Sequence, residues 1–201
     1  MFFNNKQNIE ENKISFYEST DYGHKILDLK DSMFDKVKSI TMEIYPDDYI
    51  DFTCFPNLEK IYINCCKTET FELKHSNIIS LRIHQGEINT INIDTPSLES
   101  ITIQNNLIEK ITYENLKSKN LTSIDFNSNI LKVFNLNINF AKCLKLHNNL
   151  LSDLSIKSFS LSELILRNNN LTSLKLKTLN LMYLHMSNNK IENFYIKNAY
   201  Y

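Results

Sequence analysis

The hydrophobic pattern of this chain returns about every twenty residues. Taking Leu161 as slot 0, Leu164, Leu166, Leu171, Leu174 and Leu176 fall at slots 3, 5, 10, 13 and 15, with Asn169 at slot 8. Units of the same spacing start at Val37, Leu58, Ile78, Leu98, Leu121, Ala141 and Leu181. Slots 3, 5, 13 and 15 are apolar in every unit, from Ile40, Met42, Ile50 and Phe52 to Leu184, Met186, Phe194 and Ile196. In a chain that is 42% hydrophobic, 32 apolar positions out of 32 exclude chance. Slots 3 and 5 alternate with polar neighbours, as do 13 and 15, and period-two alternation marks a strand with one buried face. Each unit therefore predicts two short strands joined by turns, with no room for a helix between them. One such coil cannot bury its apolar side alone, whereas stacked coils share a continuous core and form two parallel sheets. Burying each aliphatic slot stabilises by roughly 1.5–3 kcal/mol before chain entropy is subtracted.

Slot 8 has a different chemistry. It holds Asn106, Asn129, Asn149, Asn169 and Asn189 in five successive units, with Cys66 and Gly86 before them. A chain turning out of a strand leaves buried backbone N–H and C=O groups in want of partners. An inward-pointing Asn amide supplies two donors and an acceptor, so a stacked column of them predicts a structural ladder, at about 0.5–1.5 kcal/mol per bond.

The run Leu161-x-x-Leu164-x-Leu166-x-x-Asn169-x-Leu171 resembles the leucine-rich repeat, whose pattern closes on Asn or Cys followed by Leu. The resemblance covers about residues 37–198 and recurs eight times. It departs from the family in its short unit and in a return limb that reads as a second strand. Two strand limbs with equal spacing of ~4.8 Å make the expected fold a mainly β, weakly curved solenoid of about eight coils. The family resemblance implies a non-enzymatic scaffold that binds proteins with the outward face of its first sheet. Scarce Gly and Pro beside abundant Asn and Ile point to an AT-rich genome. Together with the repeat, this is similar to the leucine-rich-repeat families of large DNA viruses such as insect poxviruses, and amoebal or parasite genomes fit as well.

The ends of the chain are less regular. Residues 1–12 are polar and read as mobile, and Ile14–Tyr17 and Ile26–Leu29 read as strands of a degenerate first coil starting at Ile14. Residues 1–36 are thus expected to form an N-terminal cap on a solenoid spanning 37–201, because repeat arrays need atypical ends. Tyr45, Asp47 and Thr68 break the slot 8 and slot 10 pattern early. The unit from Leu98 is longer by about three residues, placed at Glu114–Asn120 with Lys117–Lys119 as an exposed bulge. After Ile196 an open parallel edge is a liability, which either Ala199–Tyr201 or another chain would cover.

Composition narrows the function. The net charge of −1 creates no global field for nucleic acid or anionic membrane. Residues 1–57 carry net −5 and residues 141–201 net +5, which suggests end-to-end self-association as an alternative function. The four Cys form neither a disulfide framework nor a CxxC pair, and no signal-like or membrane-spanning run is present, so an intracellular, cytoplasmic and unsecreted chain is expected. Asn120 and Asn170 match the glycosylation pattern but lack a secretion signal beside them.

Outward slots 2, 4 and 6 of the first strand gather the expected partner-binding residues: Lys60, Tyr62, Arg82, His84, Gln104, Asp125, Lys145, His147, Ile165, Arg167, Tyr183 and His185. Large Tyr, Arg and Ile side chains suit interface anchors. His147 and His185 lie two rows apart, roughly 10 Å, too far to share a metal ion, so no metal or cofactor is expected. Cys143 has Lys145 and His147 nearby, which would lower its pKa, but no third group completes a catalytic set. Lys157, Lys177 and Lys197 share slot 16, with Lys175 beside them. Without interleaved aromatics this row reads as solvated, and nucleic acid is not the expected partner.

Overall fold

Successive coils stack in register. The computed structural model describes residues 8–10, 13–15, 34–46 and 51–198. Among the described residues the first sheet has ten strands: β1 (Asn8–Glu10), β2 (Lys13–Ser15), β3 (Ser39–Ile44), β4 (Lys60–Cys66), β6 (Ser80–Ile83), β8 (Ser100–Ile103), β10 (Ser123–Asp125), β12 (Cys143–Lys145), β14 (Glu163–Ile165) and β16 (Tyr183–His185). From β2 onward every pairing in it is parallel, and each slot 3 residue faces its counterpart, as in Leu144↔Leu164 and Leu164↔Leu184. The return limbs carry β5 (Thr70–Lys74), β7 (Thr90–Asp94), β9 (Lys110–Thr112), β11 (Val133–Asn135), β13 (Asp153–Ser158), β15 (Ser173–Thr178) and β17 (Asn193–Asn198). They pair as three parallel patches, β5–β7, β9–β11 and β13–β15–β17. The units from Val37 to Leu181 are hereafter coils 1 to 8.

The core runs the length of the stack. Ile61, Leu81, Ile101, Ile124, Leu144 and Leu164 at slot 3 are fully buried, as are Ile88, Ile108, Leu131, Leu151 and Leu171 at slot 10. In coil 8 the same slots are half-exposed, and Phe194 and Ile196 show 45% and 48% of their surface.

Several sequence expectations are corrected. Tyr113 does not enter the core: it is 65% exposed, and Leu116 takes its place at 3%, bridging to Ile93. The three extra residues of coil 4 therefore form a turn at 113–115, inside the second limb, and the register recovers at Leu116. Lys117 and Lys119 are exposed, but Ser118 turns inward and its Oγ donates to Leu98 O at 2.7 Å. Among the described residues the second limb of coil 1 holds a 3-10 turn, Phe52–Cys54, and no strand, although Phe52 is still buried; Asp47 and Ile50 lie outside the described residues.

At the N-terminal end, β1 is a strand, antiparallel to β2, where sequence suggested a mobile segment. Ile14 aligns with Ile40, so it occupies slot 3 and does not open a unit. Residues 16–33, including Tyr17, Leu27 and Leu29, and residues 199–201 lie outside the described residues.

The slot 8 amides stitch coil to coil. Nδ2 of Asn129, Asn149, Asn169 and Asn189 donates to the slot 5 carbonyl of its own coil and of the coil before, at 2.9–3.1 Å. Oδ1 of these residues and of Asn106 accepts the slot 10 N–H of the preceding coil, from Ile88 to Leu171, at 2.9–3.2 Å. The residue before each ladder position sits in the left-handed region, with φ of 53–56° at Asn105, Ser128, Asn148, Asn168 and Asn188. Asn tolerates that conformation better than most residues. These side chains form a second, outer ladder: Asn168 Nδ2 donates to Asn148 Oδ1 and Asn188 Nδ2 to Asn168 Oδ1, both at 2.6 Å.

Candidate binding face

Alternation along each first strand sends one set of side chains to the core and the other to the outside. Parallel register then aligns the outside set across coils. Tyr62 faces Arg82, Arg82 faces Thr102, and Thr102 faces Asp125; the row continues through Lys145, Ile165 and His185. Six steps of ~4.8 Å make this row about 29 Å long. A parallel row runs Lys60, Ser80, Ser100, Ser123, Cys143, Glu163 and Tyr183. Small serines thus form a shallow middle between Lys60 and Tyr183. His84, Gln104, His147 and Arg167 lie just past the strand ends on slot 6.

The structure therefore places all twelve expected residues along one sheet, and their exposure divides them. Lys60, Arg82, His84, Arg167, Tyr183 and His185 are exposed, whereas Tyr62, Gln104, Asp125, Lys145, His147 and Ile165 are half-buried by their neighbours. The Arg82 guanidinium lies 5.6 Å from the Tyr62 ring centroid, within the range of a cation–π contact. Asp125 is held by three donors: Gln104 Nε2 at 2.9 Å, Asn127 N at 3.0 Å and Asn127 Nδ2 at 2.7 Å. Among the twelve, four permanent cations stand against one carboxylate, so the face suits a partner surface of net negative charge.

Two groups on this face have shifted acidity. Burial pushes the Cys143 thiol up to about 12, assisted by Glu163, whose Oε2 accepts from Sγ at 3.1 Å; Lys145 only partly opposes this. The expectation that Lys145 and His147 would lower this pKa is thus corrected: the dominant neighbour comes from the next coil, twenty residues away in sequence. A thiol held protonated is a poor nucleophile. Burial lowers the His147 pKa; Asp125 works against that, and Arg167 and Lys145 reinforce it. Its Nδ1 is buried without a partner among the described residues. No group of three or more His, Cys, Asp or Glu among the described residues converges in a metal-binding arrangement.

Sequence reasoning missed a mostly polar column at slot 17, interrupted by buried Ile138 in coil 5, on the corner leading back to the first sheet. His75 Nε2 donates to Phe55 O at 3.0 Å, while its Nδ1 accepts the Asn77 N–H at 3.1 Å, which fixes the tautomer. Ser158 Oγ donates to Ile138 O at 2.9 Å. Thr95 and Thr178 bury hydroxyls that lack a partner among the described residues. The recurrence of small polar residues at one slot was the available signal.

No family model and no curated protein matches the sequence. Among solved structures, the chain is similar to YopM from Yersinia enterocolitica, at 19% identity with a TM-score of 0.61, over 84% of this chain and 40% of that one. It is also similar to the APL1 leucine-rich repeat domain, at 17% identity and a TM-score of 0.49, over 76% and 50% of the two chains. A leucine-rich-repeat protein of Leptospira interrogans follows at 19% and 0.46, over 78% and 52%. The chain spans about half or less of the length of each. The fold is that of a leucine-rich-repeat solenoid with parallel sheets and about eight turns.

Proposed function

We propose that this chain is a non-enzymatic scaffold that recognises a protein partner through the outward face of its first sheet. The observation that carries this reading is the continuous row from Tyr62 to His185, set on a rigid sheet and not needed by the core. Rigidity lowers the ordering cost of binding, and Tyr62, Arg82, Ile165 and Tyr183 have the character of anchors. The cationic excess favours an acidic patch on the partner. Cys54, Cys66 and Cys143 are free thiols, which supports work in a reducing, intracellular setting. In a viral context the partner belongs to the host.

The test is affinity capture with the wild type and with a Tyr62→Ala, Arg167→Ala, Tyr183→Ala triple variant. A protein retained by the first at least about tenfold better than by the second is the expected result, since each lost anchor costs about 1–2 kcal/mol. Equal retention by both removes this face from consideration.

A second reading is end-to-end stacking of the solenoid, favoured by the opposite charges of its two ends and by the half-exposed Phe194 and Ile196. Particle size that keeps growing with concentration, and collapses at high salt, would select it.

A further inference from the structure

The outer face of the return limbs has no role in the recognition just described, and its two halves differ in charge. Over β5 and β7 lies a groove of about 380 Å³. The 3-10 turn of coil 1 walls it at one end and the inserted turn of coil 4 at the other. Four carboxylates, Asp51, Glu72, Asp94 and Glu114, line it against two amines, Lys74 and Lys117. On the far half, register puts Lys157 opposite Lys177 and Lys177 opposite Lys197, with Lys175 beside them opposite Tyr195.

Like charges on neighbouring strands destabilise a sheet, so this lysine ladder is unfavourable while it stands alone. Elsewhere on the solenoid, lysines meet glutamates of adjacent coils, as in Lys38–Glu59, Lys67–Glu87 and Lys132–Glu109. Among the described residues the four ladder lysines have no such ion pair. Their one nearby contact of note is Lys157 Nζ over the Phe159 ring, 5.6 Å from its centroid.

Between the two halves the face carries fewer charges, with Lys110 of β9 opposite Val133 of β11. Strand β11 shows Val133 and Asn135, and the inserted turn beside it shows Tyr113; Val133 and Tyr113 are 45% and 65% exposed. The order along the solenoid is thus acidic groove, less charged belt, basic ladder.

We propose that this face binds a second copy of the chain, the two solenoids running antiparallel about a two-fold axis through β11. Strands β7 and β5 lie two and three coils before β11, and β15 and β17 lie two and three coils after it. The axis therefore carries β7 onto the other copy's β15 and β5 onto its β17. Asp94 then meets the Lys175–Lys177 region, Glu72 meets Lys197, and the belt meets itself. A patch that complements its own rotated image gives a closed dimer, with a less charged centre and charged flanks. This match of distances favours a second copy over any unrelated polyanion.

The test uses the full chain in sedimentation velocity across a concentration series at low salt. The expected result is a monomer–dimer equilibrium that stops at two, and a dimer at least about tenfold weaker when salt rises from ~0.05 to ~0.5 M, where screening shortens the Debye length to a few Å. A Lys177→Glu, Lys197→Glu variant and a Glu72→Lys, Asp94→Lys variant each self-associate at least about tenfold more weakly. Mixing the two restores a dimer, a rescue that general destabilisation of either chain would not produce. Circular dichroism confirms that both fold, all four positions being surface ones. A monomer at every concentration overturns the proposal, as does growth beyond two or failure of the mixture to associate. Tight binding of a short single-stranded DNA by the wild type, without self-association, would instead assign the ladder to a polyanion.

Discussion

The corner that ends each first strand is built in two ways, and Gly86 stands where they meet. In coils 1 to 3 the backbone closes it. Cys66 bridges to Gly86, Cys66 N donates to Gln85 O at 2.8 Å and Glu87 N to Cys66 O at 2.9 Å, and β3 and β4 run on to slots 7 and 8. In coils 5 to 8 a side chain closes it, with the slot 8 amide taking over bonds that backbone supplies earlier, and a left-handed residue before it opening the turn. Direct closure requires close approach, and a Cβ on Gly86 would lie 2.1 Å from Cys66 O and 2.7 Å from Asn106 Oδ1. Amide closure requires a specific side chain but leaves the backbones apart. One geometric problem has a compact solution intolerant of bulk and an open solution intolerant of apolar replacement.

The sharpest way to break this comparison is Gly86→Ala. The new methyl meets backbone, which cannot rotate away, so a loss of about 3 kcal/mol is expected, at the upper end for overpacking. Urea unfolding measures it, and a loss below ~1 kcal/mol would mean the compact corner has slack. Next comes Asn149→Leu, expected to cost on the order of 1–3 kcal/mol because buried turn groups lose their partner. Its counterpart in the compact corner, Cys66→Ala, removes one buried sulfur and no backbone bond, for about 1 kcal/mol or less. Equal shifts in melting temperature for these two would erase the distinction between the halves.

A smaller effect separates the two amides of one corner. Asn168→Ala keeps the inner ladder but places an Ala at φ 56°, which costs roughly 1–2 kcal/mol. Asn168→Gly restores that conformation and should recover most of the loss. The smallest effect is titrational. His147 has its pKa lowered in the folded state by burial, so the unfolded chain binds the proton more readily and stability falls as pH drops through the unfolded value of about 6.5. His147→Gln should flatten the stability profile across and below that range, and an unchanged slope would place the pH dependence elsewhere.

The core was legible because aliphatic residues recur with a fixed period and only a stacked coil can bury them all. Leu116 was missed because an insertion inside a strand leaves the same residue count as one after it, and Tyr113 is apolar enough to pass for a core residue. The left-handed positions were half legible: Asn105, Asn148, Asn168 and Asn188 precede ladder asparagines, but Ser128 breaks the type and φ is not written in residue identity. The outward face followed directly from alternation. Its pairings did not, since Cys143 with Glu163 and Tyr62 with Arg82 are set by register between residues twenty apart, beyond any local window. Slot 17 stayed hidden because Ser, Thr and His ordinarily favour solvent, and here a corner turns them inward.

Each slot 8 amide after Gly86 reaches backwards, binding the floor below and leaving its own slot 10 N–H for the floor above. A cassette such as 161–180 therefore carries one complete half of both its junctions. Copied in frame, it adds a storey whose joints are chemically identical to those on either side, and nothing elsewhere needs rewriting. A cassette cut across Gly86 has unlike ends and cannot be repeated in this way. The length of this protein is thus open to revision by simple tandem duplication after a single glycine, and closed to it across that glycine.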